Sequence, residues 1–195
     1  MSETPRLDAQ MAFLMEADRL KGIDRASRVL GGARAENSAE HSWHLALFAL
    51  ILGEHAAEGV STDRVIRMLL LHDLVEIDAG DNPIFGEVDH AKAAAEEAAA
   101  AERIFGLLPE DQAREMRALW DEFEAAETPD ARFAKALDRF QPPNLNLASE
   151  GATWVRYGVT LDSFDAQMAP RIGGGAPGLW SWLRPKVAAF FASRR

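Results

Sequence analysis

Apolar residues recur at helical spacing along almost the whole 195-residue chain, and no segment alternates apolar with polar residues as a half-buried strand would. That single pattern predicts an all-α fold. Its clearest instance is 62–77, where Val65, Met68, Leu69, His72 and Glu76 share a face and Ser61 or Thr62 can cap the start. Further helices are expected over 9–21, with Met11, Leu14, Met15 and Ala17 on one face, and over 38–58, capped by Ser38. Others are expected over 90–105, over 109–126, and over 130–140, the last stopped by Pro142-Pro143. Residues 145–169 read as one or two more, and a final amphipathic segment carries Trp180, Leu183, Val187 and Phe190. Gly31-Gly32 reads as a loop, Gly173-Gly174-Gly175 as a flexible one, and the alanine-rich 91–101 as a surface helix. No repeat and no long linker divides the chain, so one domain over 1–195 is expected.

Composition narrows the function. Nearly half of the residues are hydrophobic, enough for one sizeable core, and there is no cysteine to build a disulfide scaffold, a zinc ribbon or a thiol nucleophile. The net charge of −10 repels phosphate backbones, so long nucleic acid is not an expected partner. A small anion stays open, because cations lining a cleft decide that case. No apolar run reaches the roughly 20 residues that span a bilayer. Residues 1–10 show no secretory pattern, so a cytoplasmic location and no membrane partner are expected.

Chemistry concentrates in Leu70-Leu71-His72-Asp73-Leu74-Val75-Glu76, where three ionisable groups interrupt an apolar helix. Burying each alone is costly, and one cation would offset His72 and Asp73 together. A helix-end salt-bridge cluster is the competing reading. His41 lies on the core-facing stripe of the 38–58 helix, and Asp138 interrupts Phe133-Ala134-Lys135-Ala136-Leu137, although it could instead pair with Arg139 or Lys135. Two imidazoles and two carboxylates with open positions suit a mid-to-late first-row divalent metal. Glu76, one turn beyond His72, is placed to orient or deprotonate a water or to protonate a leaving oxygen.

The order His, His-Asp, Asp on successive helices resembles the HD-domain phosphohydrolases. Leu20-Lys21-Gly22-Ile23-Asp24-Arg25, Glu36-Asn37-Ser38-Ala39-Glu40-His41-Ser42 and His72-Asp73-Leu74-Val75-Glu76-Ile77-Asp78-Ala79-Gly80-Asp81 are similar to the 5′-deoxynucleotidase branch. The resemblance covers about 12–145 as a metal-site core, with C-terminal helices over 146–195 packing on it. It implies an HD-domain helical bundle with metal ligands His41, His72, Asp73 and Asp138. It also implies an acid/base role for Glu76, phosphate binding by Arg25 and sugar contacts at Asp81. The implied cofactor is a divalent cation: cobalt, manganese, zinc, iron or magnesium. The implied reaction is hydrolysis of deoxynucleoside 5′-monophosphates, the partner a small nucleotide, and the assembly a homodimer. In this chain Arg25 is followed by Ala26 and Ser27, where the family often has an aromatic residue. Alternatives are an HD hydrolase of a nucleoside triphosphate or an alarmone, and a regulatory module that binds metal or nucleotide without catalysis. A second, weaker cation at Glu76 and Asp81 is a further expectation.

Overall fold

The computed structural model describes residues 3–86 and 88–194; Met1, Ser2, Glu87 and Arg195, which the single-domain expectation includes, lie outside the described residues. The chain opens with α1 (Glu3–Ala17), continued by a 3₁₀ turn over Asp18–Gly22. The face expected to be apolar is exposed: Met11, Leu14 and Met15 point to solvent, while Phe13 and Leu20 enter the core. Strands β1 (Asp24–Arg28) and β2 (Ala35–Asn37) follow as an antiparallel pair, Asp24 opposite Asn37 and Arg28 opposite Ala35, with a bulge between. The expected plain loop at Gly31-Gly32 is thus the tip of a small hairpin. Its strands, short and largely polar, carry no apolar alternation.

Helix α2 (Ser38–Leu52) ends earlier than expected, and its N-cap is Asn37 rather than Ser38. Asn37 accepts from the Glu40 backbone while Glu40 reaches back to the Asn37 backbone, a reciprocal capping box. That arrangement frees the Ser38 hydroxyl to point inward. Helix α3 (Thr62–Leu71) is capped by Ser61. The continuous helix expected through Ile77 instead tightens into a 3₁₀ turn, His72–Val75, before α4 (Glu76–Ala79). All four residues of the turn are buried.

Then come α5 (His90–Phe105), α6 (Glu110–Ala125) and α7 (Pro129–Ala148). The expected surface helix over 91–101 lies outside along most of its length but buries Ala100 and Ala101. The expected stop at Pro142-Pro143 does not occur. Proline removes two N–H donors, yet Pro143, Leu145 and Asn146 are buried, and the Asn144 and Asn146 amides donate to the Phe140 and Pro142 carbonyls. Packing overrides the local breaker.

The chain closes with α8 (Ala152–Arg156), α9 (Leu161–Met168), a π turn over Ala169–Gly173 and α10 (Pro177–Ala192). The glycine run expected to be flexible is packed: a Cβ on Gly175 would sit 2.1 Å from the Arg132 carbonyl oxygen, so the turn can press against α7 only with glycine there.

Two apolar clusters fill the interior. One joins α2, α3, α6, α7, α9 and α10 through Leu45, Leu69, Phe133, Leu137, Phe164 and Leu183. The other joins α1, α5 and α6 to the His72–Val75 turn through Phe13, Leu74, Ile104, Phe105 and Trp120. Leu71 and Met116 pack against both. The turn bearing the His-Asp pair therefore sits at the seam. Among the described residues no helix is long and apolar enough to cross a membrane.

Candidate metal centre

Each donor enters from a different element. His41 comes from the first turn of α2 and is fully buried; Asp138 comes from α7; His72 and Asp73 come from the 3₁₀ turn. His72 and Asp73 are adjacent in this turn, and their side chains meet. His72 Nε2 lies 2.9 Å from Asp73 Oδ1 and 3.8 Å from Asp138 Oδ1, and His41 Nε2 lies 3.1 Å from the same Asp138 oxygen. One ligand atom from each of His41, His72 and Asp73 lies within 4.8 Å of the others. The two ring centroids are 5.7 Å apart.

Ring orientation is fixed from behind. His72 Nδ1 sits 2.9 Å from the Leu69 carbonyl, which can only accept, so Nδ1 carries a proton and Nε2 faces the carboxylates. Phe123 meets the ring edge-on at 4.9 Å, and the Trp120 indole donates to the His72 carbonyl. Behind His41 stands Glu36, its Oε2 at 3.5 Å from Nδ1, itself held by a 2.8 Å hydrogen bond from the Gln141 amide.

The electrostatics call for positive charge. Burial pushes the His72 imidazole down, but Asp73 and Asp138 outweigh it and lift the group to about 10. Asp73 and Asp138 are buried, which raises them, yet for Asp73 the His72 charge and for Asp138 the Arg139 charge prevail and hold both below the usual carboxylate range. A cluster able to retain a proton so firmly has the donor set and charge a divalent cation needs: two imidazole nitrogens and two carboxylate oxygens. His72 Nε2 is buried with no hydrogen-bond partner in the protein. The residues fit the metal.

Arg25 projects from β1 into the same space. Its Nη1 donates to Asp73 Oδ2 at 2.8 Å and lies 3.5 Å from both Glu76 and Asp81. The guanidinium thus already stands between the two carboxylates expected to hold a second cation. The Ser38 hydroxyl donates to Glu76 Oε2. Burial first, then the charges of Asp73 and Asp81, raise the Glu76 carboxyl to about 8. Asp81, whose Oδ2 accepts from the Ala26 backbone at 3.3 Å, is also raised, chiefly by burial. The rival arginines are elsewhere: Arg19 pairs with Glu16, and Arg28 donates to the Gly32 carbonyl.

All seven singled-out residues therefore meet. His72, Asp73, Glu76, Arg25, Asp81 and Asp138 line one pocket, with His41 beneath it. The pocket, about 180 Å³, runs past Ile84 and Phe85 to Tyr157 and reaches Lys135 and Arg139 on α7. Sequence reasoning passed over Glu36 and Gln141, and met Arg139 only as an alternative partner of Asp138, from which it does lie 3.4 Å. Glu36 had a visible signal, since it is an acid at the mouth of the apolar α2. Asp78 pairs with Arg103 away from the site, and His44, lowered by burial, packs beside Phe48.

Known proteins resemble this chain in sequence and in fold. A chain from Magnetospirillum magnetotacticum, described as a predicted metal-dependent phosphohydrolase, superposes with a TM-score of 0.90 at 51% identity, over 95% of this chain and 92% of that one. A Pyrococcus furiosus protein at 19% identity and TM-score 0.59 shares the fold. The 5′-deoxynucleotidase HDDC2 of Homo sapiens is 29% identical over 130 residues, covering 66% of this chain and 62% of that protein's length. A 5′-deoxynucleotidase of Pectobacterium atrosepticum is 30% identical over 121 residues, 58% of this chain and 60% of its own. The match thus spans less than two thirds of these curated relatives. The HD-domain model matches residues 17–180, taking in the hairpin, the His-Asp turn and all of α7, and on that match the chain belongs to the HD-domain family.

Proposed function

We propose that this protein is a metal-dependent 5′-deoxynucleotidase, hydrolysing deoxynucleoside 5′-monophosphates to deoxynucleoside and phosphate. One observation carries the reading: Arg25, Glu76 and Asp81 surround the four-donor cluster inside a single pocket, so phosphate-binding, proton-handling and sugar-facing groups lie side by side. The names of the similar deoxynucleotidases support the substrate class.

In this reading His41, His72, Asp73 and Asp138 hold the cation, which is manganese, iron, cobalt or zinc by its mixed nitrogen and oxygen donors. When bound, such an ion lowers the pKa of a coordinated water and offsets charge on a phosphoryl oxygen. Arg25 presents a planar fork to the remaining phosphate oxygens, exchanging its carboxylate partners for the substrate. Glu76, raised to about 8, keeps its proton near neutrality and gives it to the departing 5′ oxygen, while Ser38 fixes its orientation. Asp81 accepts from the sugar hydroxyl. The P–O bond to the 5′ oxygen breaks, water supplies the new P–O bond, and one proton moves to the nucleoside.

The same reading includes one domain, a cytoplasmic location and a homodimer. Packing of α10 and the π turn on α7 supports the first. An exposed apolar stripe on α2, Trp43, Leu47, Leu50 and Ile51, supports the last. The test is phosphate release from deoxy- and ribonucleoside mono- and triphosphates after metal removal and restoration of single cations. Release from deoxynucleoside monophosphates that requires metal and is lost in His72→Ala and Glu76→Ala is the expected result. Turnover of triphosphates alone would reassign the substrate, and metal binding without any turnover would overturn the enzyme reading.

A further inference from the structure

The catalytic pocket does not end at Asp138. On α7, Lys135, one turn before it, and Arg139, the next residue, line both that pocket and an adjoining groove of about 560 Å³, whose other walls include Arg132, Arg171, Pro170 and Gly175. Four cations meet here in a chain whose net charge is −10. Among the described residues lining the groove the only carboxylate is Glu124, and Lys135 takes it at 2.9 Å.

The three arginines are left without a carboxylate of their own. Arg171 donates only to uncharged acceptors, the Gln167 carbonyl at 2.7 Å and its side-chain oxygen at 2.9 Å. Arg132 donates to the Ala126 carbonyl at 3.3 Å. Arg139 has Asp138 at 3.4 Å, but that carboxylate belongs to the donor cluster, and Arg139 Nε is buried without a hydrogen-bond partner. Arg139 and Arg171 line the same groove, and besides burial it is the charge of Arg139 that lowers Arg171. Repulsion of this kind is relieved by an anion between them, and paired guanidinium forks match the oxygens of a phosphate group. The backbone that carries the groove is closely packed: the Gly175 turn abuts the Arg132 backbone too closely to accept a side chain.

We propose that this groove is a second oxyanion site, specific for phosphate-type groups and joined to the metal pocket through Lys135 and Arg139. It takes either free phosphate leaving the active site or a second phosphate carried by the bound nucleotide. The link to turnover rests on the phosphohydrolase reading; the binding itself does not. The experiment is calorimetric titration at low salt of metal-loaded wild-type protein, Arg171→Ala, Arg171→Glu and His72→Ala with inorganic phosphate, and with deoxynucleoside mono- and diphosphates. Phosphate binding that survives in His72→Ala, and weakens about tenfold or more in Arg171→Ala and further in Arg171→Glu, is the expected result. A diphosphate that outbinds its monophosphate, with the advantage lost in both Arg171 variants, assigns the groove to a substrate phosphate. Equal affinity of the two nucleotides, with free phosphate still bound, assigns it to product. Circular dichroism checks that the variants fold. If His72→Ala binds no phosphate, or folded Arg171→Glu binds it as wild type does, the site does not exist, whatever the outcome for nucleotide hydrolysis.

Discussion

Glu36 stands 3.5 Å behind the His41 ring, on the side opposite Asp138, and Gln141 holds it there. No hydrogen bond joins the two in this conformation, but a carboxylate 3.5 Å from Nδ1 favours the tautomer that leaves Nε2 to the donor cluster. Glu36→Gln, close in shape but neutral, is expected to weaken divalent-metal affinity by about tenfold or more without unfolding the protein. Competition against a chromophoric chelator measures this, and unchanged affinity would remove Glu36 from the account. The four proposed ligands were legible in the sequence because ionisable residues inside apolar helices need a partner: His41, His72, Asp73 and Asp138 all interrupt core-facing runs and are buried. Arg25 was legible only through resemblance, since nothing in Asp24-Arg25-Ala26 marks it off from the surface pairs formed by Arg19 and Arg28. That Arg139 shares a groove with Arg171, 32 positions later, was hidden because only the folded turn brings the two to one wall.

At the scale of elements, propensity identified the helices and missed how they join. The His72–Val75 turn reads as continuous helix because Leu-Leu-His-Asp-Leu-Val carries no breaker; tertiary packing at the seam of two clusters tightens it. The hairpin went unseen for the opposite reason, as its residues lack any pattern at all, although it is β1 that delivers Arg25. Pro142-Pro143 carries a strong local signal that burial of Pro143 and Asn146 overrules. The glycine run follows the same logic, since a composition that suggests looseness is in fact the mark of close approach. Gly175→Ala places a methyl within 2.1 Å of the Arg132 carbonyl and 2.9 Å of Ala136 Cβ. We expect it to cost about 1–3 kcal/mol, read as a lower denaturant midpoint, whereas Gly174→Ala, which meets nothing within 4 Å, should be close to neutral. Equal effects of the two would contradict the packed-turn description.

For the molecule as a whole, the centre is a place where folding, protons and metal are coupled. Without metal, His72 is raised from 6.5 to about 10, so its stabilising contribution is complete below 6.5 and is lost as pH rises through about 10. Glu76 is raised from 4.5 to about 8, so the folded chain keeps a proton that the unfolded chain has released, and stability falls as pH rises through that window. Both effects have the same sign from pH 6.5 to about 8, and His72 alone continues the fall to about 10. The melting temperature of the metal-free protein should therefore fall across that range. A saturating divalent cation, which binds the unprotonated imidazole, should raise it by a margin that widens with pH. A metal-free melting temperature that stays flat or climbs would show that the buried cluster does not hold these protons.

Everything rests on His41, His72, Asp73 and Asp138 sharing one cation, and the most direct measurement is a crystal structure of the manganese- or cobalt-loaded protein with anomalous data at the metal edge. The account predicts one strong anomalous peak bonded to Nε2 of both histidines and to a carboxylate oxygen of each aspartate, with Glu36 behind His41 and Arg25 beside the open positions. An ion seated elsewhere, or none at saturating concentration, would contradict it.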